Sequence, residues 1–219
     1  KNIMKGTHLI LGDVHAVYSP FADAVKFAQE NGLHLVTAGD LIDNGPDAHA
    51  VVELMLQRMF MGQASGIMGN HEWKIIRWLR GRDVKLSGPN FPTIEAMEKH
   101  PSLKDMFARY AEKLQFQMKL GDNMFVAHAA VKPEWWIDRK DTRRSNEYNM
   151  YGNSDSSNMI EFRGQQYPNR LYNWVDDVPE GVKLFVGHDP RPMVGIPDFD
   201  NFQATPLSVK NKQGGITTF

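Results

Sequence analysis

Short apolar runs, each cut off by a glycine and a polar residue, punctuate this chain. Residues 7–11 form one such run, stopped by Gly12, which predicts a buried strand. Ser19-Pro20 reads as an N-cap followed by proline at the first helical position, with the helix running to Asn31-Gly32. Residues 33–38 predict a second strand, again stopped by Gly39-Asp40. Pro46 opens another helix, in which Val51, Val52, Leu54, Met55 and Met59 recur at helical spacing. Residues 65–68 predict a third strand, and residues 72–79 a helix ending at Gly81. Strands alternating with helices imply an α/β fold with a largely parallel sheet covered on both faces.

The middle of the chain changes character. Ser102 with Asp105 resembles a capping box and predicts a helix through residue 114. Phe116, Met118 and Leu120 alternate with polar residues, Gly121-Asp122-Asn123 makes a turn, and residues 124–127 are apolar. This is a hairpin leading into His128. Residues 132–173 are polar and aromatic, carry Trp135, Trp136, Tyr148, Tyr151, Tyr167 and Tyr172, and show no period. They read as a long loop or partly helical insertion over the site. Within it, Trp135 and Trp136 suit core or lid packing better than stacking on a base. Residues 182–186 predict another buried strand ending at Gly187-His188. The whole of 1–219 reads as one domain carrying that insertion. Its end at Thr217-Thr218-Phe219 reads as a strand, so the native chain is expected to continue.

Composition narrows the function. Hydrophobic residues make up 42% of the 219, enough for a core. A net charge of -1 argues against a partner held by bulk charge, such as nucleic acid. The chain has no cysteine, which excludes disulfides and thiolate metal sites and fits a reducing compartment such as the cytoplasm. No apolar run approaches the length of a membrane span, so no membrane partner is expected.

The candidate chemistry sits where the apolar runs end. Five motifs occur in order: Gly12-Asp13-Val14-His15, Gly39-Asp40-Leu41-Ile42-Asp43, Gly69-Asn70-His71-Glu72, His128-Ala129-Ala130 and Gly187-His188-Asp189-Pro190. Groups that follow strands collect at the carboxyl edge of a sheet, which lets distant segments converge. Asp13 and His15 point the same way in extended chain. Asp40 has two oxygens and can bridge two cations. Asn70 offers a carbonyl oxygen, and His128 and His188 offer imidazole nitrogens. Such mixed donors suit manganese, iron or zinc better than calcium. Two divalent cations bring four positive charges, of which Asp13, Asp40 and a bridging hydroxide remove three. The centre then stays cationic and attracts phosphate. Paired metals about 3.5–4 Å apart generate hydroxide and clamp an in-line displacement at phosphorus. His71 is placed to protonate the leaving oxygen, with Asp43 orienting it. Glu72 either hydrogen-bonds a ligand or favours a helix N-terminus. His8, His34, His49 and His100 fall outside the motifs and read as non-ligands.

These residues resemble the calcineurin-like metallophosphoesterases, in particular the phosphoprotein-phosphatase branch. Its pattern runs Gly-Asp-x-His-Gly, Gly-Asp-x-x-Asp-Arg-Gly, Gly-Asn-His-Glu, His-Gly/Ala and a late Gly-His. The stretches from Gly69 to Gly81 and from Gly187 to Pro192 are most similar to bacterial and phage diadenosine-tetraphosphatase and polynucleotide kinase-phosphatase types. The resemblance implies a four-layer sandwich of two mixed sheets flanked by helices. It implies one metal held by Asp13, His15 and Asp40, and a second held by Asp40, Asn70, His128 and His188. Manganese ranks ahead of iron, zinc and nickel. The implied reaction is attack of metal-bound hydroxide on a phosphomonoester or dinucleoside polyphosphate. The alternatives are a phosphoserine/phosphothreonine protein phosphatase and a non-catalytic binding module that keeps the fold.

Three departures stand out. Ala16 replaces the glycine after His15. Asn44 replaces an arginine that grips phosphate bidentately in the family, with Arg77, Arg80 and Arg191 as candidate replacements. The family's later Asp-Thr-Gly segment does not occur before Phe219.

Overall fold

The computed structural model describes residues 7–136, 141–162, 165–189 and 208–219. The chain divides into two compact units, one ending at Gln115 and the other beginning at Phe116.

The first unit is built on a parallel three-stranded sheet in the order β1 (His8–Leu11), β2 (His34–Thr37), β3 (Ala64–Gly66). Register aligns Leu11 with Thr37, and Thr37 with Gly66. All three strands therefore end at one edge, and the first three motifs start there together. Helix α1 (Tyr18–Glu30) joins β1 to β2, and α2 (Ala48–Phe60) joins β2 to β3. Helix α3 (Asn70–Leu79) leaves β3, and α4 (Phe91–Lys99) and α5 (Ser102–Ala111) follow. The core is fully buried around Val36, Leu41, Ile42, Val51, Met55, Ile67, Ile75 and Phe107.

Helix boundaries differ from expectation in instructive ways. α1 starts at Tyr18, before Ser19-Pro20, because Asp47 Oδ2 accepts from the Tyr18 backbone N–H at 3.1 Å. That remote carboxylate supplies the cap. α5 begins at Ser102 as expected, but its N-cap is Pro101 with no side-chain cap bond. It ends at Ala111 rather than 114. α4 has no counterpart in the periodicity, although Pro92 in its first turn is a helix-start signal.

The second unit holds a mixed sheet in the order β4, β5, β8, β10, β9. β4 (Gln117–Leu120) and β5 (Met124–Ala127) are the expected antiparallel hairpin, turned at Gly121 with φ +66°. β8 (Lys183–Phe185) runs parallel to β5, β10 (Ile216–Thr218) parallel to β8, and β9 (Ser208–Lys210) antiparallel to β10. Phe125, Trp135, Trp174, Val178 and Leu184 belong to the core cluster of this unit, with Trp136 and Phe219 packed against it.

The stretch 132–173, expected as a long loop or partly helical insertion, is partly helical and also holds a hairpin. It contains α6 (Arg143–Tyr151) and an antiparallel hairpin of β6 (Asn153–Phe162) with β7 (Gln165–Leu171). Thr142 and Ser145 cap α6 reciprocally: Thr142 Oγ1 accepts from Ser145 N–H at 3.1 Å, and Ser145 Oγ accepts from Thr142 N–H at 2.9 Å. The hairpin was hidden because its strands are polar on both faces and shift register between Asp155 and Met159, so no alternation survives. No helix of the described residues is long and apolar enough to cross a membrane.

Candidate active site

In the first unit, three strand ends deliver Asp13, His15, Asp40, Asn70 and His71 to one edge. His15, Asp40 and His71 form a group whose ligand atoms all lie within 4.8 Å of one another. Asp13 Oδ2 is 3.7 Å from His15 Nε2. The imidazoles of His15 and His71 meet edge to face, with centroids 5.1 Å apart.

Each side chain is held by identifiable partners. His15 Nδ1 lies 3.1 Å from the Ile42 carbonyl and 3.1 Å from the Asn44 side-chain amide. A carbonyl only accepts and an amide NH2 only donates, so Nδ1 serves Ile42 when it carries the proton and Asn44 when it does not. Asp40 is 2% exposed, and its Oδ1 accepts from the His71 backbone N–H at 3.1 Å. Glu72, fully buried, accepts from the backbone N–H groups of Asp40 at 2.9 Å, Leu41 at 2.7 Å and Gly69 at 3.1 Å. One carboxylate thus ties the loop after β2 to the N-terminus of α3. Both readings of Glu72 from the sequence hold at once, since it steadies the Asp40 backbone from within the first turn of α3.

His71 is bound at one nitrogen and presents the other. Its Nδ1 lies 2.7 Å from Asp43 Oδ2, while Nε2 lies 3.8 Å from Asp40 Oδ2. Burial by itself would lower the His71 pKa. The hydrogen bond that His71 donates to Asp43 and the negative charges of Asp40, Asp43 and Glu72 outweigh it and raise the pKa above the ordinary histidine value. Asp43 is in turn fixed by Asn90 Nδ2, which donates to Oδ2 at 2.6 Å, and by Thr93 Oγ1, which accepts from the Asp43 backbone N–H at 3.0 Å. Asn90 and Thr93 are positioning residues that none of the five motifs names. Their only signal was the turn-and-helix start at Gly88-Pro89-Asn90.

In the second unit, β5 and β8 end side by side, and Gly187 N–H donates to the His128 carbonyl at 2.9 Å. His188 Nδ1 and His128 Nε2 lie 3.1 Å apart. His128 is fully buried. Asn149 of α6 braces the same loop: its carbonyl accepts from Ala129 N–H at 2.7 Å, and its Nδ2 donates to the Ala130 carbonyl at 2.8 Å. Asp189 pairs with Arg170 and accepts from Tyr172 Oη at 2.8 Å. Burial raises the Asp189 pKa, against the opposing pull of Arg170, Tyr172 and His128. Asn149 and Arg170 went unnoticed, and Tyr172 was read only as one of the insertion's aromatics, because all three lie in the stretch without a period.

Backbone strain concentrates in these motifs. Among the described residues, every non-glycine residue with positive φ belongs to them or adjoins them: His15, Ala16, Asp40, Asp43, Asn44 and His188. Such conformations cost on the order of 1–3 kcal/mol each and persist where surrounding bonds enforce them. Ala16, at φ +53°, occupies a left-handed position that favours the glycine of the family pattern.

The remaining expected residues lie elsewhere. Arg77 and Arg80 are exposed at the far end of α3. The rise of a helix puts them roughly 10 and 15 Å along the axis from Asn70. Asn44 is exposed beside His15. Arg191 lies outside the described residues. The donors gathered in the first unit, imidazole nitrogens with carboxylate oxygens, are chemically suited to a divalent transition-metal ion.

Comparison with known proteins agrees with this geometry. The family model for calcineurin-like phosphoesterases matches residues 7–213. The asymmetrical bis(5'-nucleosyl)-tetraphosphatase PrpE of Oceanobacillus iheyensis is 29% identical over 197 residues, covering 83% of this chain and 76% of that protein. The protein of that name from Bacillus subtilis is 25% identical over 200 residues, covering 83% and 78%. Among solved structures, a putative diadenosine tetraphosphatase superposes with a TM-score of 0.56 at 23% identity, covering 99% of this chain and 83% of that one. A protein serine/threonine phosphatase from Saccharomyces cerevisiae also gives 0.56, at 15% identity, covering 96% and 65%. The chain therefore belongs to the calcineurin-like phosphoesterase family, a family of metal-dependent hydrolases, and it has that family's α/β fold.

Proposed function

We propose that, as a calcineurin-like phosphoesterase, this protein hydrolyses dinucleoside polyphosphates and phosphomonoesters with manganese as its preferred metal. The observation that carries the reading is the His15–Asp40–His71 group, with His71 tied to Asp43 at the common edge of three parallel strands. The tetraphosphatase names of its relatives support the choice of substrate. Asp13, His15, Asp40, Asn70, His128 and His188 are the ligands in this reading. When bound, two divalent cations would supply Lewis acidity toward the phosphoryl oxygens and a nucleophile at neutral pH.

The chain's own residues do the rest. Asp43 accepts from His71 Nδ1–H, which fixes the tautomer and favours the imidazolium. Nε2–H is then the proton given to the leaving oxygen. Glu72 holds the Asp40 backbone so that its carboxylate keeps one position. Asn44 contributes a neutral amide where the family has a guanidinium, so phosphate is gripped by hydrogen bonds more than by charge. With Arg77 and Arg80 at the far end of α3, Arg191 is the expected residue left to supply that charge. A chain with no cysteine is compatible with the cytoplasm, where we place it.

The test is hydrolysis of diadenosine tetraphosphate, a phosphopeptide and p-nitrophenyl phosphate, with and without manganese, with Asp40→Asn as control. Manganese-dependent turnover, fastest on the dinucleotide and lost in the control, is expected. Fastest turnover of the phosphopeptide would move the protein to the protein-phosphatase reading. Stoichiometric partner binding without turnover of any substrate would make it a binding module.

A further inference from the structure

The first unit has a second concavity that the reaction above does not use. A cleft of about 570 Å3 begins at Asn44 and is lined by residues of α2 and α4, among them Asp47, His49, Glu95, Lys99 and His100. That volume lies within the usual range for sites that enclose a small organic ligand, roughly 300–1,000 Å3. The imidazoles of His49 and His100 come together in it, with centroids 4.5 Å apart and planes inclined by 35°. Neither belongs to a metal motif.

Position and charge say what the cleft suits. Asn44 reaches back to His15 at 3.1 Å, and its backbone follows Asp43, the partner of His71. The cleft therefore begins one residue from Asp43, which holds the proton donor His71, and a proton donor serves the departing group. Asp47 and Glu95 outnumber Lys99, so the lining does not favour an anion. Carboxylates accept hydrogen bonds from hydroxyl and amino groups, and the packed imidazoles of His49 and His100 offer an aromatic ring face. A nucleoside has each complementary part: a base to stack, and a ribose diol or exocyclic amine to donate.

We infer that this cleft is a leaving-group subsite for the terminal nucleoside of a dinucleoside polyphosphate. The base stacks on His49 and His100, and Asp47 and Glu95 accept from its hydroxyl or amino groups. The inference rests on the dinucleoside-polyphosphate reading above, and its test separates the two.

The experiment pairs the double variant His49→Ala/His100→Ala with Glu95→Gln. First, calorimetry follows adenosine binding to the metal-free protein. Adenosine is expected to bind the parent at millimolar concentration, about tenfold more weakly to either variant, as loss of a stacking surface implies. Second, kcat and KM are measured for diadenosine tetraphosphate against p-nitrophenyl phosphate, whose leaving group is too short for the cleft. The ratio of kcat/KM between the two substrates is expected to fall about tenfold, through KM. Equal adenosine affinity in parent and variants, or no adenosine binding at all, would overturn the subsite. A parent that cleaves p-nitrophenyl phosphate but no dinucleotide would overturn the substrate reading instead, and the adenosine titration would still decide the cleft.

Discussion

The two units present their functional side chains by opposite means. The first gathers charge: Asp40, Asp43 and Glu72 are all buried around the motif loops. The second gathers two imidazoles, His128 and His188, braced by the amide of Asn149 and by backbone bonds. Burying carboxylates is costly unless they are paired, hydrogen-bonded or bound to a metal. Burying an imidazole needs only that its nitrogens be satisfied. The first unit thus has its own electrostatic reason to take up a cation, whereas in the second the neighbouring carboxylate, Asp189, is already paired with Arg170.

The sharpest way to break this contrast is to compare Asp40→Asn with His128→Ala. Asp40→Asn should lower kcat by at least about 10³-fold, on the scale of one lost electrostatic group. His128→Ala should cost less and be partly restored by excess manganese. Equal losses, both unaffected by added metal, would remove the distinction between the units.

A steric change comes next. A Cβ at Gly69 would run into the carboxylate and backbone nitrogen of Asp40 and into Glu72 Oε2. Gly69→Ala should therefore destabilise by about 3 kcal/mol and lower turnover together with stability in urea unfolding. Unchanged stability would mean that the loop after β2 yields more easily than its bonds suggest.

Removing the braces compares the units more gently. Glu72→Gln replaces an oxygen that accepts backbone N–H groups with an amide that cannot, and should cost about 2–3 kcal/mol. Asn149→Ala in the second unit removes a neutral brace and should cost about 1–2 kcal/mol. A reversed order in urea unfolding would contradict the idea that charge organises the first unit alone.

The smallest effect is one of pH. His71 has a raised pKa in the folded, metal-free protein. It therefore contributes stability that is fully present below the unfolded value of about 6.5 and is lost as pH rises through the folded value. Asp43→Asn should lower the His71 midpoint followed by NMR and remove that contribution. An unmoved midpoint would show that Asp43 does not govern the imidazole.

Much of the first unit was legible before any coordinates. Its strands are continuous apolar runs ended by glycine, and its motifs follow directly, so local pattern and site coincide. The neighbours of the motifs were harder to read. Asn90 and Thr93 reach Asp43 from about 50 residues away, and no spacing rule connects them. Helix was expected somewhere in 132–173, but the place of α6 and the hairpin that follows it were not legible, because neither buries a regular face and pattern reading detects only regular burial. Asn149, which holds the His128 loop, was lost with them.

The sequence by itself determined the order and spacing of the five motifs and that strands and helices alternate, because strand ends, glycines and donor types are local properties. Only the tertiary structure decided how those residues are held. It showed that Glu72 ties two loops together and that Asp43 fixes one nitrogen of His71. It also showed six non-glycine residues forced into positive φ within or beside the motifs. Those are consequences of register and burial, which bring distant backbone within hydrogen-bond reach and enforce conformations that no local stretch would adopt alone.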